Sequence, residues 1–295
     1  MRVFLTGASG WIGSAIARDL MEAGHSVTGL VRSEEKGAAL ARRGGTPLVG
    51  TLADLDVLRR GAEDADGVVH TAFGLDLSRI DALAAEDSTA IRTFGEVFAG
   101  SARPIVVTDG FLHRSGEKTV ETDRPEVDPA FPRASQQTAF ALAERGIHAN
   151  VVRNPRSVHG RGETHGFVPM LAAVARERGV SAYVGDGANL WPAVHRLDAA
   201  RVYRLALERA PCGEAYHAVA EDGVAYRRIA EAIGRQLDLP AVSIDPDEAD
   251  AHFGPLAAFV ANDGPVSSAW TRTTLGWTPE QPGIVADIER PDYAG

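Results

Sequence analysis

The 295-residue sequence has few of the features that mark secreted, membrane-spanning or nucleic-acid-binding proteins. Its single cysteine, Cys212, cannot form an internal disulfide, which is typical of a reducing compartment. No apolar run approaches the roughly 18 residues that span a bilayer, and the N-terminus shows no signal-peptide pattern. The net charge of −10 argues against a general basic surface for nucleic acid. We therefore expect a cytoplasmic protein with neither a membrane nor a nucleic acid as partner.

Lysine and tyrosine are also scarce. Of the 30 basic residues only Lys36 and Lys118 are lysines, and no tyrosine precedes Tyr183. Reactions that need a lysine or a tyrosine as a proton-transferring group therefore have few candidates in the first 180 residues.

Strand-like and helix-like segments alternate through the first two-thirds of the chain. This alternation predicts an α/β fold with a doubly wound, mainly parallel sheet. The predicted strands cover 2–7, 26–31, 46–50, 67–73, 105–107 and 149–153, and the predicted helices cover 11–24, 34–43, 54–62, 91–98, 134–145 and 167–178.

The C-terminal third has a more mixed pattern. Strands are predicted at 181–185, 215–219 and 241–245, and helices at 197–209, 226–237 and 267–275. We expect a dinucleotide-binding domain over 1–160, to which 190–210 returns, and a smaller, mainly substrate-binding region over 161–295.

A glycine motif opens the chain. The segment "TGASGWIG" places Gly7, Gly10 and Gly13 between the first strand and the first helix. Glycines there permit a tight turn and a close approach to a pyrophosphate at the helix N-terminus. The alternative is a glycine-rich turn that only packs the helix on the strand.

The end of the second strand bears on the choice of cofactor. NAD-specific sites usually place an acidic residue there for the ribose 2′-hydroxyl, whereas this chain has Arg32 and Ser33. A guanidinium and a hydroxyl suit a 2′-phosphate, so we predict NADP(H). The alternative is a solvated arginine in a loop.

Three segments carry a family resemblance: the glycine motif, "DGVVHTAF" and "WPAVHRLDAARVYRLALE". Together they resemble the extended short-chain dehydrogenase/reductases, closest to the atypical epimerase/dehydratase-like branch. The resemblance implies a Rossmann-type sheet, a smaller C-terminal substrate-binding region and, as is common among relatives, a homodimer. The glycine motif and the end of the second strand predict cofactor binding by Gly7, Ser9, Gly10, Trp11, Ile12, Gly13, Arg32 and Ser33. The resemblance implies that the cofactor also lies near Thr51, Leu52, Thr71, Ala72 and Phe73.

The sequence departs from that family at its catalytic motif. The family normally uses a Ser or Thr after the fifth strand, followed by a Tyr with a Lys four residues later. The corresponding segment, near 128–136, reads "DPAFPRASQ" and contains neither. The usual Tyr–Lys pair is absent.

Thr108 and Asp109 follow the buried run of the fifth strand, at the sheet edge where ligands bind. Thr108 supplies the one hydroxyl that remains of the family's catalytic motif. A partly buried Asp109 with a raised pKa could donate a proton, or in its ionised form stabilise an iminium cation. The alternative is that Asp109 only caps an Asp-Gly turn.

The segment after the sixth strand carries Arg156, His159 and His165, again at the ligand end. His159 is a candidate for proton transfer, and a structural histidine is the alternative. We predict that His113, His165 and Trp191 contact substrate. No metal site is expected, because the two histidines have no third ligand at a recognisable spacing.

Three functions remain open. The first is an NADPH-dependent reductase of a small or medium carbonyl or imine compound, with the proton from Asp109, His159 or water. The second is an epimerase or dehydratase of a nucleotide sugar, which also normally uses the missing pair. The third is a non-catalytic NADP-binding redox sensor.

Overall fold

The computed structural model describes residues 1–74, 76–110, 117–129, 131–291 and 293. The strands are β1 (Arg2–Thr6), β2 (Ser26–Val31), β3 (Thr46–Val49), β4 (Gly67–His70), β5 (Ile105–Gly110), β6 (Ala149–Asn154), β7 (Ser157–His159), β8 (Ser181–Val184), β9 (Leu190–His195), β10 (Ala215–His217), β11 (Glu221–Ala225) and β12 (Ala241–Ile244).

Most of the α-helices coincide with predicted ones, whereas the short helices over 249–253, 257–260 and 284–288 were not predicted. The α-helices are α1 (Trp11–Glu22), α2 (Glu34–Ala41), α3 (Leu55–Glu63), α4 (Ile80–Phe98), α5 (Ser135–Glu144), α6 (Phe167–Arg178), α7 (Arg196–Arg209), α8 (Tyr226–Leu237), α9 (Ala249–Phe253), α10 (Ala257–Val260), α11 (Ala269–Leu275) and α12 (Ile284–Ile288). Within the described parts of the chain, no helix combines the length and the apolar character that crossing a bilayer requires.

Seven parallel strands form the central sheet, in the order β10-β6-β5-β4-β1-β2-β3. Apolar side chains alternate between its two faces, so that Val106 packs toward α1 and α7 while Val107 packs toward α3, α4 and α5. This is a doubly wound Rossmann-type sheet, and the predicted fold class is confirmed.

The C-terminal part builds a separate core. Helices α6, α8, α9, α10 and α12 pack around two small sheets, one with the order β11-β9-β7 and one pairing β12 with β8. Strand β10, which the sequence places among the C-terminal segments, instead pairs with β6 at the edge of the central sheet. The predicted boundary near residue 160 remains a prediction.

Strands β7, β9 and β11 were not predicted, and Pro192 explains why β9 was missed. Proline lacks the N–H that a central strand needs and is confined to edges and bulges. In β9, Trp191 pairs with Val224 and Ala193 with Glu221, so that Pro192 falls where the register shifts at a bulge. The bulge lets a proline occupy the middle strand of this sheet.

The carboxyl ends of the central strands meet at one edge. Thr6 pairs with His70 across β1 and β4, and Asp109 pairs with Arg153 across β5 and β6. Ligands of open parallel sheets bind at this edge, which here faces the C-terminal region.

Candidate functional site

The loop between β1 and α1 accepts only glycine at two positions. Gly7 has φ +72°, a left-handed conformation, and a Cβ there would lie 2.6 Å from Thr71 Oγ1. A Cβ at Gly13 would lie 2.0 Å from the Gly7 carbonyl oxygen. The first turn of α1 therefore packs directly on the loop.

The N-terminus of α1 offers backbone donors to an anion. Its N-cap, Gly10, provides no side-chain acceptor for the first helical N–H groups. The end of β4 is fixed beside this loop, since Thr71 N and Ala72 N donate to Thr6 Oγ1 over 3.2 and 3.3 Å. A narrow glycine cradle with free N–H groups fits the pyrophosphate of a dinucleotide.

The predicted adenosine end lies beyond β2 and β3. Arg32 is exposed and, within the described residues, has no hydrogen-bond or ion-pair partner. The Ser33 hydroxyl caps α2 by accepting from Lys36 N over 3.4 Å. Thr51 is oriented by Asp54, whose carboxylate accepts from both the Thr51 N–H and its hydroxyl over 2.7 Å.

An arginine occupies the segment in which the family motif would fall. Arg133 donates through Nη2 to the Thr108 carbonyl oxygen over 2.7 Å and through Nε to Ser135 Oγ over 2.7 Å. Its guanidinium lies over the Phe73 ring, 4.1 Å from the centroid. A fixed cation therefore stands at the carboxyl end of β5, beside a predicted cofactor residue.

A buried chain of hydrogen bonds holds Arg133 in place through Ser135. Ser135 Oγ donates to Asp87 Oδ2 over 2.7 Å, and His70 Nε2 contacts Asp87 Oδ1 over 3.1 Å. Thr6 Oγ1 closes the chain, 2.8 Å from His70 Nδ1. Burial opposes ionisation of Asp87, but the His70 hydrogen bond and the nearby Arg133 hold its pKa below the usual value.

Asp109 lies next to this arginine. Its carboxylate accepts from Gly110 N over 2.8 Å and from Gln136 N, in the first turn of α5, over 3.0 Å, and Oδ1 is 3.9 Å from Arg133 Nε. Asp109 is only 7% exposed, and this burial raises its pKa although Arg133 and the two N–H groups oppose the shift. The carboxyl group thus caps both a turn and a helix.

Thr108 points to the opposite face of the sheet. Its hydroxyl is 2.9 Å from Tyr203 OH, which also accepts from Asn154 Nδ2 over 2.5 Å. Burial raises the pKa of Tyr203 to about 12, so this phenol stays protonated. The hydroxyl of Thr108 is thereby tied to α7.

A second group of titratable residues lies between β7, β9 and α12. His159 Nδ1 is 2.8 Å from Asp287 Oδ2, and His195 Nε2 is 4.0 Å from the same oxygen. His159 is fully buried, and its Nε2 has no hydrogen-bond partner among the described residues. Burial and the neighbouring His159 lower the pKa of His195 to about 4. We call these residues, with Glu163 and Tyr293, the His159 cluster.

Glu163 completes that cluster from the loop before α6. Tyr293 donates a hydrogen bond to its carboxylate. Burial raises the pKa of Glu163 to about 7, with a further contribution from Asp287. The cluster therefore holds a carboxyl group that titrates near neutral pH.

Comparison with known proteins assigns this chain to a family. A family model described as NAD(P)H-binding matches residues 7–165, more than half of the chain. The chain is an NAD(P)H-binding member of the extended short-chain dehydrogenase/reductases.

Relatives of this dehydrogenase/reductase differ in what is known of them. An uncharacterized protein of Schizosaccharomyces pombe is 46% identical over 99% of this chain and 100% of its own length. A Stigmatella aurantiaca ketoreductase of a farnesyl dihydroquinoline oxide is 30% identical over 86% of this chain and 80% of its own. A Pseudomonas aeruginosa nucleoside-diphosphate-sugar epimerase shares the fold with a TM-score of 0.78 and 18% identity, covering 99% of this chain and 96% of its own.

The structure brings together part of the predicted site. The glycine loop adjoins Thr71 and Ala72, and Arg133 contacts both the Phe73 ring and Asp109. His159 belongs to the separate His159 cluster. The roles of all these residues remain predictions.

The predicted substrate residues do not form one group. Trp191 is fully buried in the C-terminal core, against Phe167 and Tyr226. His165 is exposed, and His113 lies outside the described residues. No group of three or more potential metal ligands occurs in the parts of the chain that the structure describes.

Sequence reasoning missed the residues that organise the edge of β5. Arg133 and Ser135 lie in the segment that was recognised as lacking the family motif, but their types did not suggest a role. Asp87 lies within α4, and only the contacts to His70 and Ser135 reveal it. Spacing offered no signal for these contacts.

Proposed function

We propose that this dehydrogenase/reductase uses NADP(H) to reduce the carbonyl group of a small or medium apolar compound, without the usual Tyr–Lys pair. The observation that carries the proposal is the fixed guanidinium of Arg133 beside Phe73 at the carboxyl end of β5. A ketoreductase among the relatives supports the same class of reaction.

In this proposal, Arg133 stabilises the negative charge that forms on the substrate during reduction. A cofactor held by the glycine loop and Arg32 would supply the hydride for the carbonyl carbon, and negative charge would then develop on the carbonyl oxygen. A preorganised guanidinium stabilises such an oxyanion without rearranging, because Thr108 O and Ser135 Oγ already hold it. Arginine remains charged, so the proton that completes the alcohol comes from another group.

Asp109 is our candidate for the donor of that proton. Burial raises the pKa of its carboxyl group above that of an exposed aspartate, although Arg133, whose Nε lies 3.9 Å away, and two backbone N–H groups oppose the shift. His159 fits this role less well, since it is fully buried and its Nδ1 contacts Asp287. Thr108 contributes by positioning the strand end, because its hydroxyl is bound to Tyr203.

The same charges favour a carbonyl over an imine. An iminium ion is a cation, and Arg133 would repel it where the reacting atom must lie. An alkoxide gains from the guanidinium. We therefore place ketone reduction ahead of imine reduction.

The preference for NADP(H) is assigned to Arg32 and Ser33. Arg32 has no partner among the described residues and can pair with a 2′-phosphate. Arg32→Ala should weaken NADPH binding about 10- to 100-fold, the range for one lost charge-assisted contact, and leave NADH nearly unchanged. Arg42→Ala, at the other end of α2, is the matched control. Equal weakening of both cofactors by Arg32→Ala would contradict the assignment.

The decisive experiment is cofactor oxidation against matched pairs of ketones and cyclic imines, after tryptophan fluorescence has established NADPH binding. We expect oxidation with at least one ketone and with no matched imine. Tight NADPH binding without turnover across the panel would contradict the proposal and favour the sensor. Conversion of a nucleotide sugar without net oxidation of the cofactor would favour the epimerase.

A further inference from the structure

A second arginine borders the same edge of the sheet, but its environment differs. Arg156 lies between the end of β6 and the start of β7 and is half-buried. Its Nη1 donates to the Phe259 carbonyl oxygen over 2.8 Å, which uses one of five N–H donors. No carboxylate of the described residues lies within ion-pair distance of it.

Burial without a counterion is costly for this group. Burial alone lowers the pKa of Arg156 to about 10. Buried guanidinium groups are normally paired, since desolvating an unpaired charge is unfavourable. A guanidinium with unused donors at a ligand-binding edge can therefore pair with an anion.

Aromatic rings surround this guanidinium. Its carbon lies 5.4 Å from the Trp191 ring centroid and 5.6 Å from that of Phe259. Phe167 joins them, 5.6 Å from Trp191 and 5.1 Å from Phe259. Phe259 is 43% exposed, a large apolar side chain left open to solvent.

Trp191 adds a second unsatisfied donor. Its indole N–H is buried and has no acceptor among the described residues. Buried donors are nearly always paired. One cluster thus contains a guanidinium with unused N–H donors and an indole N–H that has no acceptor among the described residues.

We propose that Arg156, Trp191, Phe167 and Phe259 form a subsite for a substrate carboxylate carried on an apolar body. The proposal rests on the function proposed above and names the substrate class of that site: apolar oxo acids and their hydroxy acids. The planar fork of arginine matches a carboxylate, and a single guanidinium balances its single charge. Phe167 is partly exposed and Phe259 is exposed, so their rings can cover the apolar body.

The location suits this role. Gly110, at the end of β5, pairs with Asn154, and Arg156 follows two residues later. The subsite therefore begins beside the strand ends at which Arg133 and Asp109 lie. A substrate whose carbonyl lies at β5 can direct its carboxylate toward β7.

Binding of a non-reducible probe tests the subsite apart from turnover. With NADPH present, octanoate, octanamide and octyl phosphate are titrated by tryptophan fluorescence against the wild type, Arg156→Gln and Arg156→Lys. We expect octanoate to bind at least tenfold more tightly than octanamide. Arg156→Gln should weaken octanoate about 10- to 100-fold, and Arg156→Lys should weaken it less, because the charge remains while the fork is lost.

Arg178→Gln is the matched control. Arg178 also donates to one backbone carbonyl oxygen, that of Ala251 over 2.7 Å, but it is exposed. Octanoate affinity should not change in this variant. Thermal unfolding establishes that each variant is folded.

Two results would overturn the subsite. One is equal affinity of the wild type for octanoate and octanamide, and the other is equal octanoate affinity in wild type and both Arg156 variants. Tighter binding of octyl phosphate than of octanoate would overturn the carboxylate assignment. Octanoate binding that depends on Arg156, with no ketone turnover, would retain the subsite and reject the proposed reaction.

Discussion

Arg133 and Arg156 border the same sheet edge and differ in how completely they are partnered. Arg133 has two hydrogen bonds, an aromatic ring and Asp109 nearby, and a buried chain through Ser135 and Asp87 supports it. Arg156 has one backbone carbonyl and no carboxylate within the described residues. The difference teaches that a guanidinium held by several contacts is preorganised for chemistry, whereas one with a single contact is free to bind a ligand.

The His159 cluster shares this incompleteness with Arg156. His159 Nε2 and Asp287 Oδ1 lack hydrogen-bond partners among the described residues, and Glu163 is a buried carboxyl group. The C-terminal side of the edge therefore holds unsatisfied polar groups, whereas the chain from Thr6 to Arg133 is continuous.

The largest effect is expected for Arg133→Ala, which should lower kcat about 100- to 1000-fold, as for loss of an oxyanion donor. It also leaves Asp109 and Asp87 without their nearby cation, so thermal stability should fall. Steady-state kinetics with a reducible ketone and thermal unfolding measure the two effects.

Arg124→Ala is the control for this variant. Arg124 also stacks on an aromatic ring, 4.4 Å from the Phe140 centroid, and pairs with Glu214 over 3.6 Å. A similar loss of kcat in both variants would show that Arg133 acts through packing alone, and the contrast with Arg156 would disappear.

The second effect is a pH-dependent stability that comes from Glu163. Its pKa is raised to about 7 from 4.5, so the folded state binds the proton more tightly than the unfolded state does. The resulting stabilisation is present below pH 4.5 and is lost as the pH rises through about 7. It amounts to about 3 kcal/mol at most.

Glu163→Gln removes this titration while retaining an acceptor for Tyr293. Urea unfolding from pH 4.5 to 8.5 should show the variant gaining stability over the wild type as the pH rises. The difference in unfolding free energy between variant and wild type isolates Glu163 from His195 and His217, which are the same in both proteins. The pKa values of these histidines are lowered to about 4 and 3, so they change stability only at pH values below about 6.5. If the unfolding free energies of variant and wild type changed in parallel with pH, the burial of Glu163 would be contradicted.

A third, smaller effect is expected at Asp109. Asp109→Asn removes the proposed proton donor but keeps an acceptor, so kcat should fall about tenfold to 100-fold because water can replace a general acid in part. NADPH affinity should stay near the wild-type value. Unchanged turnover would leave Asp109 only its capping contacts with Gly110 and Gln136.

The smallest effect is expected for Trp191→Phe. It removes a buried N–H that has no acceptor and leaves a small cavity, so the two contributions oppose each other and unfolding free energy should change by less than about 1 kcal/mol. Equilibrium urea unfolding measures it. A loss of about 3 kcal/mol or more would show that the indole N–H is satisfied in the folded protein and would weaken the comparison of the two regions.

The sequence by itself determined the alternation of strands and helices, the doubly wound sheet and the glycine loop. These features are local: periodicity follows from which face is buried, and the steric limits at Gly7 and Gly13 act within one turn of the chain. Sequence order also located Asp109 and Arg156 at strand ends, because the carboxyl ends of parallel strands share one edge.

Only the tertiary structure decided which side chains meet at that edge. His159 contacts Asp287 from 128 positions away, and Asp87 contacts Ser135 from 48. Such pairs depend on how α4, α5 and α12 pack, and no spacing in the chain encodes that. The partners of Arg133 and the missing partners of Arg156 follow from the same packing, since burial and hydrogen bonding are properties of the assembled core.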